Sequence, residues 1–197
     1  MFYAFLRVLA FIVLMPVFFI RVIGKENFRA PKGGSVVIAH HTSNWDPIIL
    51  GFVVKHKPVS YMAKEELYKT AVARFFLKLL YTIPVARGKG DLKAIKTAIG
   101  ALKGGRMLGI FPEGTRSKGG SVLPFEQGAA LLALRADVPV IPVYIKGGYK
   151  LFHQIKVYVD PPIDLKAVAG EKINSSSINK ATEYLHDKVV EMSKRDD

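Results

Sequence analysis

The sequence predicts an α/β fold: a single domain with a mixed, mostly buried sheet flanked by helices, preceded by an N-terminal membrane-associating helix. Three observations lead there. Short β-branched runs recur along the chain, stretches with helical apolar spacing fall between them, and no linker is long enough to set off a second domain. The 197 residues suffice for one domain with its own core. The boundaries expected are 1–24 for the N-terminal helix and 25–197 for the folded domain.

The N-terminal element comes first. Val8 to Ile20 is an unbroken apolar run of 13 residues framed by Arg7 and Arg21. That is short of the roughly 20 residues a spanning helix needs, and Pro16 interrupts it. A signal peptide is one alternative, but no A-x-A-like cleavage site follows. A buried core helix is another. The preferred reading is a helix at the membrane interface, with Arg7 and Arg21 at headgroup level. Phe2, Tyr3, Phe5, Phe11, Phe18 and Phe19 would supply its apolar surface.

Beyond it, Ser35–Ala39, Pro58–Met62, Met107–Phe111, Val138–Ile145 and Ile155–Val159 read as strands. Asp46-Pro47 reads as an N-cap followed by proline at the first helical position, opening a helix to about Val54. Glu65 to about Leu80 reads as a second helix. Asp91 to Leu102 reads as a third, with Leu92, Ile95, Ile99 and Leu102 on one face and Gly104-Gly105 ending it. Phe125–Arg135 and Ser177–Met192 complete the set.

Composition narrows the function classes. There is no cysteine, so a disulfide framework, a thiolate nucleophile and a cysteine metal site are excluded. The net charge of +13 draws the protein to anions. Between Lys64 and Lys118 twelve Lys/Arg face four Asp/Glu, so most of the excess lies there. No recognition helix or aromatic-bearing strand accompanies those charges, which argues against nucleic acid; any single lysine there reads as part of a solvated helix face, and the block as a whole points to an anionic lipid surface with a phosphate site.

Four segments at strand ends or loops concentrate chemistry. In His40-His41-Thr42-Ser43-Asn44-Trp45-Asp46 a carboxylate can hold an imidazole as general base. On a straight helix His41 and Asp46 would lie about 140° apart, so they meet only if the chain turns between them. The plainer alternatives are a loop histidine and a simple N-cap. In Ile83-Pro84-Val85-Ala86-Arg87-Gly88-Lys89-Gly90-Asp91 an arginine beside glycines precedes a helix, which suits a phosphate or an exposed turn. Phe111-Pro112-Glu113-Gly114-Thr115-Arg116-Ser117 places a carboxylate, a hydroxyl and a guanidinium after a buried strand. Val138-Pro139-Val140-Ile141-Pro142-Val143-Tyr144 carries two prolines, which points to an edge strand, a bulge or a strand lining something. His40, His41 and Asp46 lack further ligands at recognised spacing, so no metal is expected.

Taken in order, these four blocks resemble those of the glycerolipid acyltransferase family, most closely its bacterial 1-acyl-sn-glycerol-3-phosphate acyltransferase type. The resemblance covers His40 to Ile145. It departs from the family at His40, where asparagine is frequent, and at Glu126, where lysine is frequent. It implies that His41 deprotonates an acceptor hydroxyl and Asp46 orients it. It implies further that Arg87, Gly88, Glu113, Gly114, Thr115 and Arg116 form the substrate site. The partners implied are a lysophospholipid acceptor and an acyl-CoA or acyl-carrier-protein donor, with no cofactor. The implied place is the cytoplasmic face of the cell membrane, as a peripheral or monotopic protein on an anionic surface. Two alternatives stay open: acylation of glycerol 3-phosphate or another lysophospholipid, and a non-catalytic protein that binds anionic lipid.

Overall fold

A computed structural model of the protein describes residues 18–29, 33–86, 91–149 and 152–195. Seven strands form one sheet: β1 (Phe19–Ile23), β2 (Ser35–Ala39), β3 (Val59–Lys64), β4 (Ile83–Val85), β5 (Met107–Ile110), β6 (Val140–Lys146) and β7 (Gln154–Val159). Their order is β1-β7-β6-β2-β5-β3-β4. From β6 to β4 all neighbours are parallel, β7 is antiparallel to β6, and β1 is parallel to β7. The helices are α1 (Asp46–Val53), α2 (Ala71–Leu79), α3 (Leu92–Lys103), α4 (Gly128–Ala136), α5 (Leu165–Ala169) and α6 (Ser175–Ser193).

Helices on both faces explain why strands such as Ser35–Ala39 are apolar without alternation. Val36 and Ile38 face one core, with Leu102 of α3, Ala130 and Ala133 of α4, and Leu185 and Val189 of α6. Val37 and Ala39 face the other, with Ile49, Leu50 and Val53 of α1 and with Phe18 and Phe28. Because β2 to β6 run parallel, the loops after them gather at one edge of the sheet, where open α/β folds place their sites.

Several expectations need correction. Residues 1–17 lie outside the described residues, but Phe19–Ile23 of the expected helix form a strand. The free edge of β7 explains it: Phe19 pairs with Gln154 through to Ile23 with Tyr158, and Phe19 and Arg21 point outward between half-buried Ile20 and Val22. The Glu65–Leu80 helix is instead a 3-10 turn (Glu65–Tyr68) followed by α2, because the Thr70 hydroxyl accepts from Ala73 N–H at 3.1 Å and starts a new helix. The Phe125 helix begins only at Gly128, since Glu126 N–H donates to the Pro112 carbonyl at 2.7 Å and ties that segment to the loop after β5. The two-proline strand is internal. Pro142 sits where β7 has ended, its carbonyl taking Asp160 N–H at 3.0 Å, so its missing N–H leaves no gap in the β6–β7 ladder.

Candidate active site

The chain leaves β2 at Ala39 and turns before entering α1, with Asp46 N–H donating to the Ser43 carbonyl at 3.2 Å. That turn brings His41 and Asp46 together, Nδ1 to Oδ2 at 2.8 Å. Asp46 is not the N-cap of α1; the helix has no side-chain cap there, and the carboxylate points back into the loop. Its Oδ2 also accepts Thr42 N–H and Ser43 N–H, each at 2.7 Å. Its Oδ1 accepts the Tyr149 hydroxyl from the loop after β6. Burial, and then the Asp46 carboxylate, push the Tyr149 hydroxyl well above the usual phenol range, so it stays protonated and donates. The carboxylate is fully buried, with a donor on each oxygen.

With Nδ1–H given to Asp46, the second ring nitrogen of His41 is the one left to take a proton. The ring stacks on Phe111 at 4.3 Å between centroids and stays 18% exposed, within reach of a substrate. Phe111 in turn stacks parallel to Tyr61, whose hydroxyl donates to the Pro47 carbonyl at 2.7 Å.

A second imidazole–carboxylate pair lies behind the first. His40 is buried against Tyr144, and its Nδ1 lies 2.7 Å from Glu113 Oε1. The same oxygen accepts His41 N–H at 2.8 Å, and Oε2 accepts Leu123 N–H at 3.1 Å. Glu113 therefore faces inward and fixes the main chain of His41. Ser117 N–H adds a bond to the His41 carbonyl at 2.8 Å.

The other candidates fall as follows. Gly114 takes φ +66° in a tight turn, its N–H donating to the Phe111 carbonyl at 3.1 Å. Thr115 and Arg116 are exposed on that turn, and Arg116 Nη1 donates to Asn44 Oδ1 at 2.9 Å, beside the His41 loop. Arg87 and Gly88 lie outside the described residues. The described residues on either side lie at the same edge: Asp91 accepts Ala86 N–H at 3.1 Å and Ala94 N–H at 2.9 Å, capping α3. Backbone bonds at Asp91, led by Ala94 N–H, keep its carboxyl below the usual carboxylate range.

Sequence reasoning missed Tyr149, Phe111 as the platform under His41, and the link from Asn44 to Arg116. Tyr149 is 103 residues from Asp46, and only its place just after a central parallel strand could have flagged it.

Comparison with known proteins identifies the family. The acyltransferase family model matches residues 19–146. The chain is 33% identical over 161 residues to the 1-acyl-sn-glycerol-3-phosphate acyltransferase of Bacillus subtilis, covering 80% of this chain and 75% of that protein. It is 30% identical over 149 residues to the Streptococcus pneumoniae protein of the same name, covering 73% of this chain and 54% of the other. The crystal structure of the 1-acyl-sn-glycerophosphate (LPA) acyltransferase PlsC from Thermotoga maritima superimposes with a TM-score of 0.72 at 29% identity, covering 99% of this chain and 80% of that one.

Proposed function

The chain belongs to the acyltransferase family and is an O-acyltransferase, and from that premise we propose its acceptor, donor and place of work. The reaction is transfer of a fatty acyl group from a thioester, acyl-CoA or acyl-carrier protein, to the sn-2 hydroxyl of 1-acylglycerol 3-phosphate. The product is phosphatidic acid. The observation that carries this reading is the His41–Asp46 pair, with one ring nitrogen committed to a buried carboxylate and the other left over at the loop edge of the sheet.

His41 Nε2 takes the proton as the acceptor oxygen attacks the thioester carbonyl carbon. The C–O bond forms, the tetrahedral intermediate collapses with loss of the C–S bond, and the leaving thiolate receives the proton back from the imidazolium. Asp46 holds the imidazole in one tautomer and offsets its positive charge. Direct transfer fits a chain without cysteine. Arg116, tethered beside the His41 loop, and Arg87 bind the acceptor phosphate, which suits the names of the curated relatives. The basic excess favours an anionic membrane surface, with the protein peripheral or monotopic on the cytoplasmic face.

Among the described residues no helix is long and apolar enough to cross a membrane. The test is an assay of purified full-length protein with labelled 1-acylglycerol 3-phosphate, glycerol 3-phosphate and other lysophospholipids, each with both donor types. Turnover is expected with the first acceptor and lost in His41→Ala. Turnover with glycerol 3-phosphate alone, or an active His41→Ala variant, would sink the reading.

A further inference from the structure

The 3-10 turn Glu65–Tyr68 and α2 follow the C-terminal end of β3, so they sit at the edge of the sheet that carries His41. Among their described side chains none belongs to either apolar core, and among the described residues α2 packs chiefly on the turn before it. Polar bonds hold the pair in place. The Tyr68 and Thr82 hydroxyls are 2.6 Å apart, and Thr82 donates to the Leu77 carbonyl through its hydroxyl at 2.7 Å and its N–H at 3.1 Å.

Despite this marginal position the segment is largely apolar. Among the described side chains of the helix, Ala73 and Leu77 are half-buried. On the outer side Val72 is 67% exposed and Phe75 61%, and Leu67 in the preceding turn is 54% exposed. At about 100° per residue, Val72 and Phe75 lie about 60° apart, with Lys78 about 60° past Phe75 and Arg74 about 40° further. Lys64 and Lys69 are exposed at the start of the element, and Glu65 and Glu66 are its acidic residues. The outer face is therefore an apolar stripe bordered by cations.

We propose, building on the function above, that this element is the seat of the domain on an anionic bilayer. Leu67, Val72 and Phe75 enter the boundary between headgroups and acyl chains, and Lys64, Lys69, Arg74 and Lys78 meet lipid phosphates. Both kinds of side chain find a partner within a few ångström at that boundary, as in interfacial amphipathic helices. The sign of the charge matches an anionic leaflet. Position adds a further argument: a bilayer met here lies against the site-bearing edge, so an acceptor with its acyl chain in the leaflet can present its hydroxyl without leaving it.

Because the chain has no cysteine, single cysteines can report the contact. An environment-sensitive fluorophore on Val72→Cys is compared with one on Lys103→Cys, exposed at the opposite edge ahead of β5. With phosphatidylglycerol-containing vesicles the label at 72 should shift to the blue and be quenched by brominated lipid, while the label at 103 stays accessible to iodide. The double variant Val72→Glu, Phe75→Glu should bind such vesicles about 100-fold more weakly, which is about 2.7 kcal/mol, and should lose turnover of bilayer acceptor. It should keep turnover of a short-chain acceptor in detergent. A label at 72 that stays open to iodide on vesicle-bound protein would overturn the proposal. So would one already shifted without vesicles, since that assigns the face to the N-terminal residues, a second copy or another protein surface. A wild-type chain inactive on every short-chain acceptor would overturn the functional reading instead, leaving the label to decide the docking face.

Discussion

Replacing Asp46 by asparagine separates the geometry of the site from its charge. Three donors converge on Oδ2, from His41, Thr42 and Ser43, so the amide oxygen must take that position. The amide nitrogen then faces the Tyr149 hydroxyl, which can turn its hydrogen away and accept. The loop, the turn and the His41 orientation survive. What is lost is the negative charge opposite the imidazolium formed in the transition state. With Nδ1 and Oδ2 2.8 Å apart the charge centres are about 4 Å apart, an interaction of about 1 kcal/mol in water and about 4 kcal/mol at the effective dielectric of a protein site. Asp46 is fully buried and His41 mostly so, which puts the value toward the upper figure. At about 1.4 kcal/mol per tenfold, kcat should fall about 100- to 1000-fold with acceptor KM unchanged. Thiol release under saturating donor and acceptor measures it, with far-UV circular dichroism and thermal unfolding to show the fold intact. A loss below about fivefold, no more than the about 1 kcal/mol of a solvated pair, would refute the assignment of Asp46 as the counter-charge.

His41→Ala should cost at least the about 10²- to 10⁴-fold typical of a missing base, and more than Asp46→Asn, in the same assay. Arg116→Ala should raise acceptor KM about 10- to 150-fold, the worth of one charge-assisted bond, with donor KM unmoved; steady-state titration of each substrate distinguishes the two. Gly109→Ala puts a Cβ 2.5 Å from the Tyr61 ring, which should cost about 1–3 kcal/mol in denaturant unfolding and, through Phe111, lower kcat by disturbing the platform under His41. At Asp160 burial favours the neutral acid, but the bidentate Arg195 guanidinium at 2.6 and 2.8 Å, with Lys188, outweighs it and holds the carboxyl below the ordinary range. A depressed folded value means stabilisation present above the unfolded value of about 3.9 and lost as pH falls through the folded one. Asp160→Asn should therefore lower stability at neutral pH and flatten the acid limb of a pH–stability curve.

The fold was legible wherever burial on both faces left a continuous apolar run. Ser35–Ala39 is such a run, and its ends agree with the expected strand. Legibility failed where a strand's existence depends on a partner far along the chain. Phe19–Ile23 pairs with a strand more than 130 residues away, and its alternation was hidden because the apolar residues before it merged into one helical-looking run. The consequence is practical. A truncation meant to remove the N-terminal segment must stop before Phe18, which is buried and packs edge-on against both Trp45 and Tyr149. Cutting to Ile20 would remove part of β1 together with the Phe18 ring that packs on Trp45 and Tyr149.

The site divides along the same line. The resemblance of four ordered blocks picks out His41 and Asp46; the residues alone leave a loop histidine and a plain N-cap open, and only the turn between them brings the two side chains together. The role of Glu113 was not legible, since nothing local distinguishes an exposed loop carboxylate from one that turns inward. Only the parallel pairing of β2 and β5, which sets the ends of those strands side by side, brings Glu113 under the His40–His41 main chain. His40 marks the difference between the two histidines. Consecutive residues leaving a strand point to opposite faces, so if one imidazole looks toward the site, its neighbour must be buried and needs a partner there. Glu113 is that partner, and by holding His40 Nδ1 and His41 N–H on one oxygen it makes the buried histidine part of the mount for the exposed one.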